Sequence, residues 1–218
     1  MLLKAFILYV TDGKNTSDVT KKLYEENEMK KLVIGCVITL LCLSGCGSRK
    51  DAPGDSQVSM YASPLEILEK VVADYGGDEL FAMYGGDQEH AVMDAPGSFA
   101  VSNTQELDTV LGLPESQWQA VEEAASMVHM MNANTFTSAA YRLKDGTDSN
   151  AFSDAIKAHL LQRQWVCGQP DTLLIIQADQ SYMLTAFGDA ALLQTFENHA
   201  LSVLKGSAVV AKVPVTGS

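Results

Sequence analysis

The sequence predicts an α+β domain: one antiparallel sheet built from two strand–strand–helix units, helices packed on one face, and a further helix in front. Three observations carry this. Residues 135–144 alternate in polarity and include Thr, Phe and Tyr, the pattern of a half-buried strand. Residues 173–178 and 182–187 have the same character on either side of Asp179-Gln180, and so read as a hairpin. Each pair of strands is followed by an acidic cap and an apolar stripe at helical spacing. The spacing of Phe152, Ile156, His159 and Leu161 matches that of Leu192, Phe196, His199 and Leu201. Two such units make one layer of sheet and one of helix.

In chain order, residues 1–28 carry no sustained period, and their apolar start is too short to span a bilayer. Glu25-Glu26-Asn27-Glu28 requires a purine-rich run of codons just ahead of Met29, as a ribosome-binding site does. Met29 is therefore expected to be the true start, with residues 1–28 a mis-annotated upstream extension. Residues 29–45 have the layout of a secretory signal peptide: Lys30 and Lys31, a twelve-residue apolar run over 32–43, then small residues. Its end, Leu43-Ser44-Gly45-Cys46, resembles the lipobox of bacterial lipoproteins. The resemblance implies recognition by signal peptidase II and cleavage before Cys46. The Cys46 thiol would carry diacylglycerol and hold the chain on the outer face of the cytoplasmic membrane. Two acyl chains anchor firmly where one is marginal.

Residues 46–62, rich in Gly, Ser, Pro and Asp, read as a flexible tether, and 63–205 as a single domain. Ser63 caps the first helix with Pro64 in its first turn, and Leu65, Leu68, Val72 and Tyr75 lie along one face. A short strand fits 98–101. Residues 118–131 suit helix or strand. Asp148 and Asp189 cap the two later helices, whose inward residues are Phe152, Ala155, Ile156, His159 and Leu160, then Leu192, Phe196, His199, Ala200 and Val203. Residues 206–218 read as a loose tail.

The segments "LGLPESQW", "NANTFTSAAYRLKDGTDSNAFSDAIKAHL" and "LLIIQADQSYMLTAF" together resemble the uncharacterised small lipoproteins common in clostridia and their relatives. That resemblance spans residues 65–204 in layout. It implies strand for 121–131, and it implies no activity.

Charge narrows the partners. Residues 46–218 hold 22 Asp and Glu against 9 Lys and Arg, and Lys70 is the only basic residue between Asp51 and Tyr141. Such a surface repels phosphates, which disfavours nucleic acid and leaves the lipid to do the anchoring. Of four cysteines, Cys36 and Cys42 leave with the signal and Cys46 is acylated, so Cys167 has no partner for a disulfide.

Candidate chemistry is sparse. The repeated Tyr-Gly-Gly-Asp at Tyr75 and Tyr84 places Asp78, Glu79, Asp87 and Glu89 as weak Ca²⁺ candidates, without the alternating ligand spacing of an EF-hand. The plainer reading is two glycine turns with solvated acids. His90, His129, His159 and His199 form no His-x-x-x-His pair, and partly buried, hydrogen-bonded imidazoles are expected at 159 and 199. Cys167 is expected to be a small buried apolar group. No catalytic set and no cofactor motif emerges. The expectation is a lipid-anchored, non-catalytic binding or interaction module facing another envelope protein or a small ligand. The alternative is an exported envelope enzyme using Cys167 or a His–acid pair. A transporter's substrate receptor is disfavoured, because such receptors need two lobes.

Overall fold

The structure is a computed structural model in which residues 59–215 are described. The expectations for 1–28, for the signal segment and for Leu43, Ser44, Gly45 and Cys46 fall outside these residues. The tether is shorter than expected, because Ser59 already binds the domain. Its hydroxyl donates to Asp179 at 2.6 Å, and Tyr61, only 8% exposed, stands edge-on to Tyr182.

Ser63 opens α1 (Pro64–Ala73) by accepting the Glu66 N–H, while the Glu66 carboxylate takes the Ala62 N–H at 2.7 Å. This is a reciprocal cap of the capping-box kind. The buried stripe is Ile67, Leu68 and Val71, with Leu65 and Val72 flanking it half-buried. It is rotated from the expected face because α1 packs against the sheet and against the last helix together.

Three short strands follow, β1 (Met83–Gly85), β2 (Val92–Met93) and β3 (Gly97–Phe99), then α2 (Thr104–Thr109). A short 3-10 helix, Glu115–Ala120, runs into β4 (Val121–His129), so the ambiguous stretch is strand from 121 onward. The remaining elements are β5 (Phe136–Leu143), α3 (Ser149–Gln162), β6 (Thr172–Gln177), β7 (Tyr182–Gly188), α4 (Ala190–Val203) and β8 (Ala208–Pro214). Asp148 and Asp189 each accept two backbone N–H groups at the starts of α3 and α4. The α4 stripe is Leu193, Phe196 and Ala200, with Leu192 and Val203 half-buried beside it.

All pairings are antiparallel, in the order β2-β1-β4-β5-β7-β6-β8, and β3 shares the outer edge of β4 with β1. The α+β class and the two strand–strand–helix units are present. The helices, however, lie on both faces. Leu174, Ile176, Leu184 and Ala186 face α1 and α4, whereas Leu173, Ile175, Met183 and Phe187 face α2 and α3. β7 is buried along its whole length, so both of its faces need cover. The two connections differ accordingly. Five residues, 144–148, lead from β5 to α3, while Asp189 alone joins β7 to α4.

The expected loose tail is a strand. β8 pairs with β6 from Thr172↔Pro214 to Gln177↔Ala208, with a register shift at Ile175/Ile176. Lys212 reaches Gln194 and Glu197 on α4, and Val215 is buried. An edge strand with mostly exposed side chains shows no apolar alternation, which is why its sequence reads as tail.

Candidate functional site

The second Tyr-Gly-Gly-Asp builds one wall of a cleft. β1 and β3 meet end to end on β4, and Gly85 and Gly97 touch where they meet. A Cβ on Gly85 would stand 2.0 Å from the Gly97 nitrogen. Only glycine allows two backbones so close. Gly86 follows at φ +86, and the fully buried Ser126 hydroxyl binds it twice, accepting from its N–H at 2.9 Å and donating to its carbonyl at 3.2 Å.

Asp87 then turns inward, 3% exposed. Its carboxylate accepts the N–H groups of Glu89, His90 and Ala100 and bonds the His90 ring at 2.9 Å. Burial opposes its charge, but the bonds from Ala100, the His90 ring and Glu89 outweigh it and hold the carboxyl below the usual range. Asp87 in turn raises the His90 imidazole above its ordinary value.

α2 forms the opposite wall. Asn103 caps it, and Gly112, at φ +70, ends it against Leu160. α3 fixes its far end. His159 Nε2 meets Asp108 at 2.7 Å, and the Arg163 guanidinium donates to the carbonyls of Asp108 and Thr109. Across the gap, the Glu106 carboxylate accepts the Gln88 N–H at 3.0 Å, tying the two walls together.

The space between them is a cleft of about 550 Å³, lined among others by Tyr84, Gln88, Asn103, Gln105, Glu106 and Val110. Among the described residues, the Gln88 and Gln105 side-chain amides and the Tyr84 hydroxyl have no hydrogen-bond partner. The Glu106 carboxylate keeps one oxygen free. Burial first, and the Glu106 charge second, push the Tyr84 phenol above its ordinary value, so it stays protonated at neutral pH. The walls are braced, and the groups facing the gap are uncommitted. A second hollow of about 380 Å³ lies beside the start of α1, with mainly apolar walls including Pro64, Leu65, Phe99 and Val101.

Comparison with protein-family models, curated proteins and solved structures finds no match.

The residues singled out from sequence are dispersed. Glu79 accepts the Gly76 N–H and meets His199 Nε2 at 3.1 Å, and Asp78 lies in the same turn, away from Asp87 and Glu89. Among the described residues, no three His, Cys, Asp or Glu side chains converge as metal ligands. His199 Nδ1 meets Asp74 at 2.8 Å, so both ring nitrogens face carboxylates. Only imidazolium satisfies both. Chiefly through the Asp74 bond, the ring is raised above its ordinary value. His129 stacks on Phe81 with centroids 5.3 Å apart.

Cys167 is corrected outright. It is exposed, at φ 64, on the loop between α3 and β6. Trp165, packed on Phe187, and bonds from the Asn132 and Asn134 amides hold that loop. Tyr84, Gln88, Gln105 and Glu106 are the residues that sequence reasoning missed as a group. Exposed amides carry no motif, and only the Tyr-Gly-Gly-Asp repeat marked the neighbourhood.

Proposed function

We propose that this chain is a lipid-tethered binding module on the outer face of the cytoplasmic membrane, and that the cleft between Gly86 and α2 takes a small ligand. One observation carries the binding half: two braced walls present uncommitted donors and acceptors to a common space. Ligand sites have this character, being concave, largely pre-formed and fitted with a few convergent polar groups. The anchoring half rests on Leu43, Ser44, Gly45 and Cys46 following a signal-like segment. The acidic surface supports it, since it offers no basic patch to hold an anionic bilayer. The resemblance to small clostridial lipoproteins points the same way.

Anchoring is tested by Cys46→Ala. The thiol is the acyl acceptor, so the variant should accumulate as unprocessed precursor without incorporating a fatty-acid analogue. Normal labelling of Cys46→Ala would sink the lipoprotein reading. Binding is tested by placing a photo-crosslinking side chain at Gln105 in living cells, with one at Asp145 as control. Capture at 105 and not at 145 is expected, whereas equal capture at both would remove the cleft from the proposal.

A further inference from the structure

We infer that the cleft recognises a neutral, hydroxyl-rich ligand, a saccharide unit, rather than an anion, an ammonium group or a peptide. This rests on the cleft being the binding site proposed above. The free groups decide the class. The side-chain amides of Gln88 and Gln105 each offer a donor and an acceptor side by side, and the protonated Tyr84 hydroxyl offers both on one atom. Adjacent ring hydroxyls of a sugar have the same dual character, so amides can bridge them in pairs.

The Tyr84 ring is half-buried, and with Val110 and Ala91 it supplies an apolar surface for the C–H face of such a ring. Charge argues against the other classes. Among the described residues, Lys and Arg are absent from the lining, and the chain as a whole is acidic, so a phosphate or carboxylate would meet no counter-charge there. The one carboxylate in the lining among the described residues, Glu106, already holds the Gln88 N–H and keeps one oxygen to accept from a hydroxyl. An extended peptide is read by main-chain pairing at a sheet edge. This cleft is walled chiefly by a turn and a helix, and the strand that reaches it, β1, is three residues long and already paired on both edges, with β2 and with β4.

The test uses the lipidated protein in detergent micelles, labelled with ¹⁵N, and follows side-chain amide resonances while chitobiose, maltose, cellobiose or trialanine is added. At least one disaccharide should shift the Gln88 and Gln105 amides. Tyr84→Phe and Gln105→Ala should each weaken that binding by roughly two- to tenfold, the worth of one hydrogen bond. Neither change removes an intramolecular hydrogen bond among the described residues, so both variants should melt like the parent. Shifts with trialanine and with no disaccharide would overturn the ligand class and leave the binding site standing. Silence from all four probes at these amides would overturn both readings. Disaccharide shifts confined to other residues would also overturn the inference.

Discussion

Asp87 shows how one side chain can hold a wall in place. It is buried and charged, and its charge is met by three peptide N–H groups and an imidazole. Asp87→Ala should therefore cost about 1–3 kcal/mol, because it leaves the Ala100 N–H without its acceptor in a part-buried site. Glu89→Ala, two residues away and exposed, should change stability by less than about 0.5 kcal/mol. Urea denaturation of both variants measures the contrast, and equal effects would mean that Asp87 is not the anchor. Cys167 behaves in the opposite way to its expectation. Its thiol faces solvent, so Cys167→Ser should shift stability by no more than about 0.5 kcal/mol. A larger loss would place the thiol back in a packed site. Composition alone could not reveal this exposure, because a free cysteine is usually buried and its left-handed backbone has no sequence mark.

Helix by helix, the histidines act as fasteners. His159 joins α3 to α2 through Asp108, and His199 joins α4 to the end of α1 through Asp74 and Glu79, with Tyr75 against its ring at 4.6 Å. The folded state raises the His199 value, so its contribution to stability is complete below the ordinary imidazole value of 6.5. That contribution fades as pH rises through the raised value. The parent should therefore lose stability over that interval, and His199→Gln should lose less. Denaturation midpoints measured from pH 6 to 9 test this, and parallel curves would show that the latch carries no pH dependence. These elements were legible where local physics governs them. Ser63, Asp148 and Asp189 cap where such residues cap, and the Asp179-Gln180 hairpin sits where turn chemistry puts it. The face that each helix covers was not legible, because Phe152 and Phe196 look alike in sequence while the lengths of their connections differ. The cleft was illegible for a related reason. Gln88 and Gln105 become neighbours only after Gly85, Gly97 and Ser126 have brought a turn against a helix.

At the scale of the whole molecule, the two-sided sheet depends on its last strand. Ending the chain at Gly206 removes β8 and Val215, and it bares the edge of β6, whose centre is Leu-Leu-Ile-Ile. An uncovered apolar edge pairs with whatever strand it meets. The shortened protein should melt several degrees lower and self-associate, as read by thermal unfolding and sedimentation. A monomer as stable as the parent would show that β8 is dispensable. The bond from Ser59 to Asp179 spans 120 residues, and its consequence concerns time rather than strength. Ile67, Leu68 and Val71 take part of their cover from β4 and β5, and the rest only when Phe196 and Ala200 arrive. Closing contacts this distant in sequence slows folding. During N-to-C synthesis α1 thus waits, its stripe only partly covered by the sheet, until α4 has been made. If the chain is exported as proposed, a polypeptide threaded through a membrane pore must avoid premature compaction, and a core completed this late would help to delay it.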